Sequence, residues 1–188
     1  LSARLSMLEA LAPLAATAYA EVAPADAELR LRYSSSLRAE LPALGDPSGP
    51  VPDLPDLEGA LLNELSRMRS AELERGVNLV GPHRDDLDLA LGALPVRGYA
   101  SHGEGWSVAV ALRLGSYELL RVDHPSGADP VLVLDDVFAE LDSRRREQLA
   151  LVASKAEQCI VTAAVLSDVP GQLDGARFEL RDGQVHRA

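Results

Sequence analysis

The sequence is poor in basic residues and in cysteine, and it has no long apolar run. Its 188 residues carry 18 Lys and Arg against 29 Asp and Glu, a net charge of −11. Proteins that bind nucleic acid through charge alone carry a basic excess, so this class is disfavoured. The single cysteine, Cys159, excludes an intrachain disulfide framework, and we expect it in the core of a protein from a reducing cytoplasm. No stretch approaches the roughly 18 to 20 apolar residues that span a bilayer, so we expect no membrane segment.

Lysine is almost absent, and Lys155 is the only one in the sequence. A phosphate-binding P-loop places a glycine-rich backbone directly before Lys and Ser or Thr, but no glycine lies between Gly127 and Gly171. The 188 residues therefore contain no P-loop. Because the sequence begins at Leu1 rather than methionine, we expect a fragment or a processed chain, with further motifs upstream.

The first 75 residues have mainly helical patterns. Leucine and alanine recur at three- and four-residue spacing over residues 1–22, and we expect that helix to restart or kink at Pro13. A second helical pattern covers residues 57–73. Between them, residues 28–33 alternate like a half-buried strand, and five prolines in residues 42–55 predict an exposed loop. We therefore predict a mainly helical lobe over residues 1–75.

After Arg75, short apolar runs alternate with helical segments. Helices are expected after Ser101 and after Asp142, and the apolar runs are residues 77–80, 87–91, 131–134 and 160–165. This order predicts an α/β fold with parallel strands over residues 76–188. At the end of the sequence, Asp182-Gly183 between two short alternating segments predicts a C-terminal β-hairpin.

Two adjacent carboxylates follow one of the apolar runs. The four apolar residues after Pro130 predict a central strand covered on both faces, which ends at Asp135 and Asp136. Adjacent carboxylates are costly unless a cation or hydrogen-bond donors compensate them. In a Walker B arrangement the first holds Mg²⁺ and the second orients or deprotonates the attacking water. The alternative is a strand that ends in a solvated acidic turn. A dehalogenase-type phosphotransferase is disfavoured, because Val137 occupies the place of its second aspartate.

A second segment predicts a phosphate site. Ser101 and Glu104 form the S-x-x-E pattern of a capping box, and the helix after them is dense in apolar residues. An exposed N-terminus on a buried helix presents free N–H groups and the positive end of the helix dipole, which favour phosphate. The alternative is a well-capped core helix without a ligand.

Three segments in this order resemble one family. GPHRDDL at residues 81–87, ASHGE at 100–104 and LDDVFAELD at 134–142 are similar to the C-terminal part of the RecF family, bacterial recombination and replication-repair ATPases. The resemblance covers residues 76–188 well and residues 1–75 only loosely. It implies the C-terminal portion of an ABC ATPase head, with parallel sheet strands, a helical arm lobe over residues 1–75 and a C-terminal hairpin.

The resemblance also implies roles for individual residues. Asp135 would hold the metal and Asp136 would be the catalytic carboxylate. The signature motif, which caps the γ-phosphate of ATP held by a partner subunit, would comprise Ser101, Gly103 and Glu104. The D-loop, which crosses the dimer interface, would comprise Glu140, Leu141 and Asp142.

Some positions depart from the general pattern. Gly105 and Trp106 stand where such signatures often have Gln and then Arg or Lys. Transport-type ABC proteins have a switch histidine at the end of the strand after Walker B, whereas this sequence has Thr162. A threonine can hydrogen-bond water or phosphate but cannot carry a proton as histidine does. We therefore expect slow hydrolysis.

The activity implied by the resemblance belongs to a longer protein. ATP and Mg²⁺ would bind between two protomers of a cytoplasmic homodimer, and this would be coupled to binding of single-stranded or gapped DNA, together with other recombination mediator proteins. Without a P-loop, these 188 residues alone should not hydrolyse ATP. One alternative is a nucleotide-switched DNA clamp or mediator module without significant hydrolysis.

The GPHRDD segment permits another alternative. His83, Asp85 and Asp86 are ligand types found in metallohydrolases, although no second histidine cluster completes such a site. The resemblance to the RecF family instead implies that the segment belongs to the scaffold near the signature side, where Arg84 would pair with Asp85 or Asp86 or meet phosphate. A plain polar turn that leads into the strand from Leu87 is the remaining possibility.

Arginines supply nearly all of the basic charge. Arg144 and Arg145, next to Arg146 after the D-loop, are candidates for contact with DNA or the partner subunit, although such a run is commonly a solvated face. Comparable candidates in the first lobe are Arg30, Arg32 and Arg38.

Overall fold

The computed structural model of the protein describes residues 1–23, 27–46, 49–123, 129–139 and 141–188. The chain divides into two compact units, Leu1–Asp123 and His124–Ala188. The proposed boundary between an arm lobe and an ATPase head at residue 75 stays a prediction. The described helices include none whose length and apolarity would let it cross a lipid bilayer.

The first unit is built on two long helices that pack together, α1 (Ser2–Val22) and α4 (His102–Asp123). Residues of α1 at three- and four-residue spacing are buried: Leu5, Leu8, Ala12, Ala15, Ala18, Tyr19 and Val22. Of the predicted restart or kink at Pro13, the restart is wrong, because α1 continues through this residue. Proline removes only one N–H donor, and the buried face on either side of Pro13 stabilises the helix.

Gly115 allows the two helices to approach closely. A Cβ atom on Gly115 would lie 2.8 Å from the backbone nitrogen of Ala15 and 2.9 Å from its Cα. Since backbone atoms cannot move aside as the end of a side chain can, Gly115→Ala should lower the free energy of unfolding by about 1 to 3 kcal/mol. Gly105→Ala is the matched control, because a Cβ there meets nothing within 4 Å on the same helix. Chemical denaturation that finds equal effects for the two variants would contradict this packing account.

An antiparallel sheet completes most of the first unit. It contains β1 (Leu29–Ser34), β2 (Asp86–Leu91) and β3 (Leu94–Pro95), with β2 in the centre, and β1 also contacts α1. The strands predicted at residues 28–33 and 87–91 are therefore confirmed. The parallel arrangement expected for the second of them is wrong, because β2 pairs antiparallel with both neighbours. The single turn α3 (Val96–Tyr99) leads from β3 toward α4.

Helix α2 (Leu54–Arg75) confirms the second helical pattern. Its N-cap Asp53 accepts a hydrogen bond from the Asp56 backbone, and Gly76 ends it in a left-handed conformation. Residues 77–80 do not form the predicted strand. The Glu72 carboxylate accepts hydrogen bonds from the backbone N–H groups of Leu79 and Val80, at 2.7 and 3.4 Å. The Glu72 side chain thus satisfies two backbone N–H groups that would otherwise need the carbonyls of a neighbouring strand.

The proline-rich loop is anchored rather than fully exposed. Leu44 is only 2% exposed, and the carbonyl of Gly45 accepts a hydrogen bond from the backbone N–H of Tyr33 at 3.0 Å. A Cβ on Gly45 would lie 2.1 Å from the carbonyl oxygen of Tyr33, and its φ of 86° favours glycine. The prediction of an exposed loop is therefore wrong at Leu44.

The second unit contains a parallel strand pair, β4 (Leu132–Asp135) and β5 (Cys159–Thr162), joined through α5 (Ser143–Ala153). This confirms the α/β class with a parallel sheet. The expectation that β4 is covered on both faces is wrong, because Leu132 and Leu134 are buried whereas Val133 is 57% exposed. Cys159 is also only partly buried rather than a core residue, although burial still raises the pKa of its thiol.

The second unit ends in the predicted hairpin. After a short 3₁₀ turn at Leu166–Asp168, strands β6 (Phe178–Arg181) and β7 (Gln184–Arg187) pair antiparallel. The two turn residues, Asp182 and Gly183, have φ values of 51° and 74°. A positive φ at both central residues is what a type I′ turn requires, so the Asp-Gly signal is confirmed.

Candidate functional site

Asp135 and Asp136 lie at the C-terminal end of β4, directly beside the end of β5. Asp135 is paired in register with Thr162 of β5. The Thr162 hydroxyl donates a hydrogen bond to Oδ1 of Asp135 and accepts one from the backbone N–H of Asp136 at 3.0 Å. One hydroxyl therefore joins the two acidic residues.

Asp136 has a backbone conformation that few residues other than glycine adopt. Its φ is 52°, and Asp182 in the hairpin turn is the other non-glycine residue with positive φ in the described part of the chain. Such a conformation costs on the order of 1 kcal/mol or more, although Asp and Asn tolerate it best. The Asp136 N–H also donates to the backbone oxygen of Thr162 at 3.2 Å. Two bonds to Thr162 thus hold this turn at the edge of the sheet.

The two carboxylates of this site suit a magnesium ion whose other ligands come from a substrate and from water. In the described parts of the chain, no three His, Cys, Asp or Glu side chains are grouped so that they could hold a metal alone. Mg²⁺ is commonly bound by one or two carboxylates, with phosphates and water completing its coordination. Asp135 and Asp136 are a donor set of this kind, so the residues fit the ion.

The segment after β4 is fixed by α5. Leu141 is buried, and its carbonyl accepts a hydrogen bond from Nε of Arg146 at 2.9 Å. Asp142 caps α5, where the sequence predicts the start of a helix. The backbone N–H of Arg145 donates to its carboxylate at 2.9 Å and holds the pKa of that carboxyl below its usual range. Arg146 also pairs with Asp168 at 3.3 Å. Glu140, the remaining predicted D-loop residue, lies outside the described residues.

Ser101 and Glu104 form the predicted capping box at the start of α4. The Ser101 hydroxyl and backbone N–H both donate to the Glu104 carboxylate, at 2.7 and 2.8 Å. The backbone N–H of Glu104 donates to the Ser101 hydroxyl at 3.3 Å. Ser101 is exposed and Gly103 is half-buried, whereas Ser107 and Val108 one turn further on are buried. The first turn of α4 is therefore ordered, with Ser101 at the protein surface.

The GPHRDD segment is a scaffold element rather than a metal cluster. The Asp85 carboxylate accepts hydrogen bonds from the Tyr33 hydroxyl at 3.0 Å and from the backbone N–H of Ser36 at 2.9 Å. Burial is the main cause that raises the pKa of Tyr33, which keeps its hydroxyl a donor. Arg4 donates to Tyr33 and to the carbonyl of Pro82. These bonds tie the segment to α1 and β1, and nothing supports a metallohydrolase site at His83, Asp85 and Asp86.

The predicted arginine candidates differ in their surroundings. Nε of Arg84 donates to the carbonyl of Asn78 at 2.8 Å, and within the described residues it makes no ion pair with Asp85 or Asp86. Arg145 pairs with Asp142, whereas Arg144 is exposed. Arg30 pairs with Glu28 at 2.9 Å. The structure places Arg84 with the signature residues in the first unit, and Arg144 and Arg145 with the acidic pair in the second.

The sequence reasoning missed two parts of this arrangement. The sequence predicts that Thr162 can contact water or phosphate, yet its hydroxyl bonds Asp135 of β4 and Asp136 directly after the strand. The link from Arg146 to Leu141 and Asp168 was not foreseen either. The contact of Thr162 with Asp135 could have been predicted only from strand register. If two parallel strands end together, the residues at their ends become neighbours.

In comparison with known proteins, the chain is similar to proteins named RecF. No family model matches it. Proteins named DNA replication and repair protein RecF are similar over essentially the whole chain: 50% identity in Rhodococcus erythropolis and 53% in Frankia alni, each covering 100% of this chain. The matches cover 47% and 48% of those relatives, so the chain spans about half the length of the curated relatives it matches.

Solved structures give the same result for the fold. The recombination mediator protein RecF-ATPrS in the RecFOR pathway matches 99% of this chain and 46% of its own, with a TM-score of 0.74 and 27% identity. The RecF-ATP structure matches with a TM-score of 0.72 and 25% identity. A structure from work on ATP-driven dimerization and DNA-stimulated activation of SMC ATPases matches with a TM-score of 0.54 at 14% identity, a likeness of fold alone. In sequence and in fold, the chain therefore corresponds to the C-terminal part of RecF proteins.

Proposed function

We propose that the chain is the C-terminal part of a cytoplasmic DNA replication, repair and recombination ATPase of the RecF type. The whole protein binds ATP and Mg²⁺ at a homodimer interface and couples this to binding of single-stranded or gapped DNA, alongside other recombination mediator proteins. The observation that carries the proposal is the pair Asp135 and Asp136, joined by Thr162 at the end of a parallel strand. Its relatives are named for DNA replication and repair, and two of the similar structures are named for RecF with ATP or ATPrS.

In this proposal the two carboxylates divide the work. Asp135 holds Mg²⁺, which supplies charge stabilisation to the transferred phosphoryl group when bound. Asp136 aligns the attacking water and accepts its proton. In the structure the Thr162 hydroxyl holds Oδ1 of Asp135, which orients this carboxylate, and Asp136 follows it in a turn of positive φ.

The signature residues act on the nucleotide of the partner subunit. Ser101, Gly103 and Glu104 form the ordered first turn of α4, and Ser101 is exposed. Backbone N–H groups and the dipole at a helix N-terminus favour phosphate, and here they would stabilise the charge of the γ-phosphate across the dimer. The D-loop residues Glu140, Leu141 and Asp142 would cross the same interface.

DNA contact in this proposal uses local basic patches, because the net charge of the chain is −11. Arg144 suits this role best, since it is exposed. Arg145 is already paired with Asp142, and Nε of Arg84 is held by the carbonyl of Asn78. Contact of Arg84 with phosphate would use the remaining nitrogens of its guanidinium group.

The chain alone should bind Mg-ATP only weakly or not at all. No P-loop occurs in its sequence, and the signature residues supply only part of the phosphate contacts, to a nucleotide held by another subunit. Calorimetric titration of the 188-residue chain with Mg-ATP tests this, with a full-length RecF protein that carries this C-terminal sequence as the positive control. One-to-one binding of the chain at micromolar concentration would mean that the nucleotide site is complete within it, against the proposal.

A nucleotide-switched DNA clamp or mediator without significant hydrolysis is the second candidate. Thr162 favours it, since a threonine cannot carry a proton at the position where transport-type ABC proteins have histidine. The turnover number of the full-length protein separates the two functions. Multiple turnovers per protomer, stimulated by DNA, support the ATPase, whereas ATP-dependent DNA binding without turnover supports the clamp.

A further inference from the structure

The Thr162 hydroxyl bonds both of its acidic neighbours, and its one proton is already donated. A hydroxyl has one proton to donate and two lone pairs to accept with. Here the proton goes to Oδ1 of Asp135, and the backbone N–H of Asp136 donates to the oxygen at 3.0 Å. The side chain is itself exposed, so burial does not force this arrangement.

We propose that Thr162 is a positioning residue, which sets the direction of the Asp135 carboxylate and the backbone turn at Asp136 through these two bonds. The inference rests on the proposed function, because it assigns to Thr162 a role toward Mg²⁺ and water that acts through the two aspartates. It differs from the role of a phosphate sensor, since the only hydroxyl proton already goes to Asp135.

The bond to Asp135 distinguishes the two oxygens of its carboxylate. When Oδ1 accepts the hydrogen bond from Thr162, one of its lone pairs is occupied and it binds a cation less well. Oδ2 is then the stronger ligand for Mg²⁺. Residues that orient a metal ligand in this way typically contribute about 10- to 100-fold to metal affinity or activity. Loss of the hydroxyl would leave the carboxylate free to rotate.

The bond to Asp136 helps to hold an unfavourable backbone conformation. The φ of Asp136 is 52°, so its turn depends on hydrogen bonds to β5. The Asp136 N–H donates both to the backbone oxygen of Thr162, at 3.2 Å, and to the Thr162 hydroxyl, at 3.0 Å. A valine at position 162 keeps the backbone oxygen and the β-branched shape but lacks the hydroxyl. The hydroxyl contribution can therefore be removed without removing the strand pairing.

The experiment compares Thr162→Val with Thr162→Ser in a full-length RecF protein that carries this C-terminal sequence. Two quantities are measured against Mg²⁺ concentration: ATP turnover, and dimer formation with a non-hydrolysable ATP analogue by sedimentation. For Thr162→Val we expect about a 10-fold or greater rise in the half-saturating Mg²⁺ concentration in both assays, and a similar fall in kcat. KM for ATP should change by less than about twofold, because the residue does not contact nucleotide.

The serine variant is the matched control, because it retains the hydroxyl and should stay close to the parent protein. Equal thermal midpoints of all variants exclude a folding defect, and Thr162→Ala repeats the test should the valine variant fail to fold. A valine variant with parental kcat and Mg²⁺ dependence overturns the positioning role. The parent protein and Asp136→Asn, assayed in parallel, separate the two levels. Absence of ATP turnover in the parent protein would mean that the proposed ATPase function itself fails, whereas loss of turnover in Asp136→Asn beside a fully active valine variant removes only Thr162.

Discussion

Asp136→Asn should lower ATP turnover by about 10²-fold or more in a full-length RecF protein that carries this C-terminal sequence, the order expected for loss of a general base. Asparagine has nearly the size of aspartate and tolerates positive φ equally well, so the turn at φ 52° should persist. What the substitution removes is the charge that aligns water and accepts its proton. ATP binding and ATP-driven dimerisation should survive, because Asp135 and its bond to Thr162 remain.

Asp182→Asn is the matched control for this variant. Asp182 also has a positive φ, 51°, and lies exposed in the hairpin turn, so the same atoms change in the same backbone conformation. Single-turnover and steady-state ATPase assays of the two variants show whether the loss of activity is specific to position 136 or follows from any Asp→Asn change at positive φ. Parental turnover in Asp136→Asn, or an equal loss in Asp182→Asn, would remove Asp136 from the mechanism.

Local signals in the sequence were sufficient for the elements that form the candidate site. The apolar run before Asp135, the N-cap Asp142 and the capping box of Ser101 each depend on residues within a few positions of one another, and the structure has all three. The C-terminal hairpin follows equally from its Asp-Gly turn. These features could be predicted because capping and turn chemistry are short-range.

The features that could not be predicted depend on distant partners. Thr162 meets Asp135 across 27 positions of sequence, and Tyr33 meets Asp85 across 52. Periodicity does not reveal which strands are neighbours, so the sequence predicts parallel pairing for β2 although it pairs antiparallel with β1. The apolar run after α2 similarly predicts a strand, because nothing in the run shows that Glu72 binds the backbone there.

The GPHRDD segment likewise depends on partners that are distant in the sequence. Its His and Asp residues suggested metal ligands when taken alone, since composition gives ligand types without their partners. In the structure Asp85 accepts from Tyr33 and Ser36, two neutral donors, which satisfy a half-buried carboxylate without a cation. The charge of this segment therefore organises the fold of the first unit. At the end of β4, by contrast, the Thr162 hydroxyl donates to the Asp135 carboxylate and accepts from the backbone N–H of Asp136.

Ser101→Arg should abolish ATP-dependent dimerisation and leave the ATP affinity of the monomer nearly unchanged. In the proposed dimer Ser101 faces the γ-phosphate held by the partner, so an arginine side chain would fill the space that this nucleotide needs. Among the residues that the structure describes, Ser101 forms hydrogen bonds only with Glu104 and with its own helix. Sedimentation with a non-hydrolysable ATP analogue, beside a nucleotide-binding assay, measures the two effects separately.

Loss of the capping box accompanies this substitution and has to be distinguished from loss of the interface. Replacing such a cap costs about 0.5 to 2 kcal/mol of stability, which a thermal midpoint detects and which should leave most molecules folded. Ser66→Arg adds the same bulk and charge to an exposed position of α2 and should dimerise like the parent. If Ser101→Arg is folded and still dimerises with ATP, Ser101 does not face a partner nucleotide, and the start of α4 is only a well-capped core helix.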